Sequence, residues 1–171
     1  MKTTILTSIL KSCESGNVKC LKKYLSNEDV ISLSDDEKIA IKMTGILSDN
    51  DEIVDYLNKI GIINVHENKE IDFLVSCKIA RLNVVKWFIE HGATRIPEAF
   101  GISCLNEHKN LIKYFIHSGK IDNDEIIFAL LVAVKCGKIN SVDCIVTETE
   151  IDSDEIKEKM DRIDDAVSAA R

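Results

Sequence analysis

FLVSCKIARLNVVKWFIEHGA, Phe73 to Ala93, reads as a helix, a turn and a second helix in quick succession. The second half, from Leu82, carries apolar residues at helical spacing with charged ones between them, the mark of an amphipathic helix. The same arrangement recurs along the chain. It appears as GNVKCLKKYL from Gly16, DNDEIVDYLNKIG from Asp49, EHKNLIKYFIHSG from Glu107 and GKINSVDCIV from Gly137. Leu21, Val54, Val85, Ile112 and Val142 correspond, at separations of 33, 31, 27 and 30 residues.

A second helical pattern precedes each turn. In its register stand Ser12-Cys13, Gly45-Ile46, Ser76-Cys77, Ser103-Cys104 and Ala133-Val134. The first member is always tiny, which suits a place where neighbouring helices approach closely. The threefold Ser-Cys pair is therefore read as packing, not thiol chemistry. Between units lie loops with Asp35 or Asp36, Asn68, Ile96-Pro97 and Asn123 or Asp124 just ahead of the next helix, residues suited to a helix start. A two-helix unit of this length cannot bury its own apolar face, so neighbours must stack to make a core. The expected fold is all-α: a solenoid of five helix-turn-helix repeats at roughly 3–33, 36–66, 69–95, 97–121 and 123–150 within one domain spanning 1–171. In SDEIKEKMDRIDDAVSAA, Ser153 can cap a last helix over 153–170 whose Ile156, Met160, Ile163 and Val167 share one face. It reads as a polar terminal cap, or as the first helix of a further repeat in a longer scaffold.

The chain has 171 residues, 30% of them charged, with one proline and seven glycines, which suits long helices over a loop-rich β design. No apolar run approaches the ~18–20 residues of a membrane helix, and MKTTILTSILKSCESG is too interrupted for a secretory leader. A cytoplasmic setting, in its own cell or a host's, is expected. The six cysteines show no zinc-type spacing and are expected to stay reduced. A net charge of −7 disfavours nucleic acid and suits a basic protein partner.

Catalytic signatures are lacking: no phosphate-binding glycine loop, HExxH or GxSxG occurs, and the acidic DSDEIKEKMDRIDD lacks calcium-loop spacing. His91 and His117 stand one repeat apart at helix ends, where the dipole favours them. Cys136, near a turn, is the one thiol expected to be accessible. Tyr56, Trp87 and Tyr114 share a register and are read as packing between second helices, with an aromatic binding ladder as the alternative. No metal, cofactor or catalytic residue is assigned.

LNVVKWFIEHGA, Leu82 to Ala93, resembles the second-helix pattern of ankyrin repeats, and FALLVAVKCGKINSV, Phe128 to Val142, resembles their first helix and turn, with Gly137 at the turn glycine and His108 at the turn histidine of the preceding unit. The Thr-Pro-Leu-His tetrapeptide is missing from every unit, Ile71-Asp72-Phe73-Leu74 stands in its place in the third, and Lys42 occupies a leucine position. Such degenerate repeats are similar to those of large DNA viruses, amoebae and bacterial effector or immunity proteins.

The resemblance implies a non-enzymatic module that binds another protein through its concave face, capturing a host factor or inhibiting by occlusion. An immunity-type inhibitor of a basic toxin is the alternative, as is a fragment of a longer ankyrin scaffold. Carried onto this chain, the binding face comprises Glu14, Leu47, Lys78, Ile79, Leu105, Asn106 and Lys135, with Arg95 among loop tips that also include Glu28, Asp29, His66, Glu67 and Asp122. Leu47, Ile79 and Leu105 are apolar where a merely solvated surface would be polar. No nucleic-acid or membrane partner is expected, and the chain is expected to be a monomer on its own.

Overall fold

A computed structural model describes residues 2–149 and 151. Among these residues the protein is all-helical, with eleven α-helices and no strand. They run α1 Lys2–Glu14, α2 Val18–Tyr24, α3 Asn27–Ile31, α4 Asp35–Leu47, α5 Asp51–Lys59 and α6 Ile71–Lys78. Then follow α7 Leu82–Glu90, α8 Ile96–Leu105, α9 Lys109–His117, α10 Asn123–Lys135 and α11 Ile139–Glu148. Five pairs, each joined by a short turn, account for all but α3. The expected terminal helix over 153–170 lies outside the described residues.

The chain divides into two compact units, 1–95 and from Ile96 onward. In the first, α1 packs on α4 and α4 on α6, while α2 packs on α5 and α5 on α7. In the second, α8 packs on α10 and α9 on α11. First helices thus meet first helices, and second helices meet second helices, within each unit.

One turn is built five times. Gly16, Asp49, Ala80, Glu107 and Gly137 all take left-handed backbone, with φ of 67, 52, 59, 59 and 67°. Their N–H groups donate to carbonyls three residues back, as Ala80 does to Cys77 at 3.2 Å. In four of the five the next N–H reaches the small residue of the register: Asn17 to Ser12 at 2.9 Å, Arg81 to Ser76 at 2.9 Å, His108 to Ser103 at 3.0 Å and Lys138 to Ala133 at 2.8 Å. This is the paired-bond helix ending that satisfies orphan carbonyls. The small residue is buried in every pair. Ser12, Ser76 and Ser103 satisfy their buried hydroxyls by donating to carbonyls of their own helices at 2.7, 2.6 and 2.8 Å. At Gly45 an added Cβ would stand 2.4 Å from Leu57 Cδ1. Cys13, Cys77 and Cys104 are buried beside their serines, whereas Val134 is half exposed.

Each unit has its own aromatic core. Phe73 of α6 packs on Phe88 of α7 with centroids 5.9 Å apart, and Phe100 of α8 on Phe115 of α9 at 6.0 Å. All four are fully buried; such burial stabilises by about 1.5–3 kcal/mol per ring.

Helix starts differ from the sequence expectation by a residue or more. Ser34 caps α4 and Asp122 caps α10, each in a reciprocal box with Glu37 or Glu125. Ser26 and Asp29 form a third box, which nucleates α3 inside the segment expected to be loop. Asn68 does not cap α6. Asn68, Lys69 and Glu70 form a left-handed turn, φ 48, 56 and 60°, a conformation costing roughly 1–2 kcal/mol per residue for a side chain with Cβ. It is held by the buried Glu70 carboxylate, which accepts from the N–H groups of Thr94 and Arg95 at 2.9 and 3.0 Å and from the Thr94 hydroxyl at 2.9 Å. The Arg95 guanidinium donates to the Lys69 carbonyl.

Candidate functional site

Most of the expected binding residues share one register, the C-terminal end of a first helix. Glu14, Leu47, Lys78, Leu105 and Lys135 are the last residues of α1, α4, α6, α8 and α10, and all five are exposed. Asn106 follows Leu105 and turns its amide back onto the Ile102 carbonyl at 2.8 Å. Ile79 departs from the expectation of an exposed apolar side chain: it caps α6 and is half buried. Arg95 is half buried and tied to the left-handed turn.

In the second unit the register opens into a groove. A cavity of about 610 Å³ lies between α8 and α10. Gly101, Ile102 and Leu105 line it from α8; Phe128, Ala129 and Val132 line it from α10. Val132 lies four residues from Phe128 and three from Ala129, the spacing of one helical face. Phe128 is 65% exposed and Leu105 36% exposed, so the apolar lining is open to solvent. Gly101 makes the room, because an added Cβ there would meet nothing within 4 Å. The acids collect where the two helices begin: Glu98 in the first turn of α8, and Asp122, Asp124 and Glu125 at the start of α10.

Phe128, Gly101, Ile102 and Val132 were not singled out from the sequence. A signal exists, since IIFALLVAV in α10 is apolar on every side; such a helix is either wholly buried or offers an apolar face.

The second helices are stitched between neighbouring pairs by side chains that sequence reasoning also missed. Asp49 Oδ1 accepts from the N–H groups of Asn83 and Val84 at 2.9 and 3.2 Å, capping α7 from the preceding pair. Glu107 Oε1 likewise accepts from the Asn140 N–H at the start of α11, 3.1 Å away. Lys42, a charge at an apolar position, pairs with Asp72 at 3.0 Å and Glu67 at 3.6 Å. In the aromatic register, Tyr56 donates to the Leu25 carbonyl at 2.6 Å and Trp87 is buried, stacking on His91 at 4.0 Å.

Burial pushes the thiols of Cys13, Cys77 and Cys104 up to about 12, so at neutral pH they are protonated and poor nucleophiles. Cys144 is raised as well, again by burial. Cys136, at the end of α10, is exposed. His91 and His117 are exposed at helix ends; His91 Nδ1 lies 2.8 Å from the Trp87 carbonyl and His117 Nε2 2.8 Å from Glu148. The Glu148 carboxyl is held below its usual range by bonds from Lys113 and His117. Among the described residues no group of three or more His, Cys, Asp and Glu is placed to hold a metal ion, and no helix is long and apolar enough to cross a membrane.

Compared with known proteins, the chain matches no family model, no curated protein and no solved structure. Its class rests on its own coordinates: paired helices ending in one recurrent left-handed turn, with an open apolar groove in the second unit.

Proposed function

We propose that this chain is a divergent ankyrin-type repeat protein and a non-enzymatic module that binds another protein through the exposed face of its first helices. Five turns in one register, each preceded by a buried small residue, support the repeat reading. The observation that carries the binding reading is the exposure of Leu47, Leu105 and Phe128 on first helices, the last two around one groove. Apolar anchors within a polar rim are how protein interfaces gain affinity. The module acts by occlusion or tethering, with a preformed surface that loses little conformational freedom on binding. Six cysteines without a disulfide suit a reducing, cytoplasmic place of action, in the cell of origin or a host.

The test compares affinity capture by the wild-type chain with capture by Leu47→Asp and Leu105→Asp, with partners identified by mass spectrometry. Both positions are exposed, so the helical circular dichroism should be unchanged. Loss of a captured protein from either variant supports the reading. Retention by both would move the interface to the second helices and overturn it.

A further inference from the structure

We infer that the α8/α10 groove docks an amphipathic, basic helix of a partner protein, which seats a short apolar row on Phe128, Ile102 and Val132 and sets Lys or Arg beside the acids at the groove's mouth. This rests on the protein-binding reading and names the partner's chemistry. Four of the eleven residues lining the groove are acidic and none is basic. Their charges stand at the N-terminal ends of α8 and α10, where the partial positive charge of each helix end, about half an elementary charge, offsets only part of them. The groove is thus polarised: apolar towards the C-terminal ends, anionic at the other.

Its length fits a helical occupant. α8 has 10 residues and α10 has 13, and at about 1.5 Å per residue they form walls of some 15–20 Å. An occupant of two to three turns presents apolar residues at i, i+3, i+4 and i+7 along such a wall. Other occupants carry the wrong charge. A second copy of the chain has a net charge of −7, and the segment beyond residue 151 holds more acids than bases. Either would bring carboxylates to carboxylates.

The experiment measures binding of fluorescent helical peptides to the full chain by anisotropy at low and high salt. The probes are about 18 residues long, enough for appreciable helicity. One carries an amphipathic leucine row with lysines clustered at one end, the second has glutamates in place of the lysines, and the third scrambles the first. The lysine peptide should bind at least tenfold more tightly than the other two, and binding should weaken as salt rises. Gly101→Leu, which fills the groove from a position with open space around it, should abolish binding, as should Phe128→Asp. Ile31→Asp, at an exposed position of α3 in the other unit, should leave peptide binding unchanged.

Equal binding of lysine and glutamate peptides, or of the scramble, would overturn the inference. So would binding that survives Gly101→Leu. Self-association in sedimentation that Gly101→Leu abolishes would give the groove to a second copy. Faster proteolysis beyond residue 151 in Gly101→Leu would give it to the chain's own end, and either result also overturns the inference. If no peptide binds while Leu47→Asp still loses a captured protein, this inference fails and the protein-binding function stands. If capture too is indifferent to Leu47 and Leu105, both fail.

Discussion

Gly45 and Gly101 sit in first helices with ordinary helical backbone, yet their surroundings make them opposite. A methyl at Gly45 meets the buried Leu57 at 2.4 Å, while one at Gly101 meets open space. Gly45→Ala should destabilise the protein by about 1–2 kcal/mol, overpacking outweighing the helix-propensity gain. Gly101→Ala should stabilise it by roughly 0.5–1 kcal/mol. Urea titration of each variant reads both, and equal signs would contradict the packing described. Glu70 is the other decisive residue. Burial alone would raise its carboxyl, but the bonds from Arg95, Thr94 and His66 outweigh that and hold it below the usual range. A depressed folded-state value contributes stability that is full above the unfolded value, about 4.3, and is lost as pH falls through the folded one. Glu70→Gln should therefore cost about 1–3 kcal/mol at neutral pH by weakening bonds to charged oxygen. The gap to wild type should shrink below about pH 4. A gap that stays constant through acid unfolding would show that the charge is not what holds the left-handed turn.

At the scale of elements, the turns between paired helices show how one backbone shape serves two purposes. Ala80 and Asp49 are both left-handed, at φ 59 and 52°. Ala80 is exposed, whereas the Asp49 carboxylate caps α7. Ala80→Gly should raise stability by about 0.5–1 kcal/mol, the relief of strain exceeding the added freedom of the unfolded chain. Asp49→Gly relieves the same strain but leaves the start of α7 without its carboxylate, and should lower stability by about 1 kcal/mol. Thermal melts of the two variants moving in the same direction would rule out this division of roles. The helix pairs, the turn positions and the small-residue register were legible because they depend on local periodicity and on what a left-handed turn requires. Helix α3 was read as loop, and the starts of α4 and α10 were misplaced by a residue or more. Three Ser/Asp boxes set those boundaries, and several neighbouring residues were equally good capping candidates on sequence alone.

Across the whole molecule, thiol accessibility tests whether the cysteines are packing residues. With a disulfide reagent at neutral pH, Cys136 should react fast and half-buried Cys20 more slowly. Cys13, Cys77, Cys104 and Cys144 should react only on unfolding. Cys136→Ser should remove the fast phase; a second fast thiol in that variant would reopen thiol chemistry. The exposed ends of first helices were legible in part: Leu47 and Leu105 are open as expected, while Ile79 is half buried and Arg95 is tied to Lys69. By itself, the sequence determined the helical class, the five pairs and the inert serine-cysteine register, since each follows from spacing within one or two helices. Only the tertiary structure decided that Gly101 and Phe128 face one groove, that Asp49 caps a helix 34 residues further on, and that Glu70 locks a strained turn. Those depend on which side chains distant in the chain come to share a space, and local periodicity carries no such information.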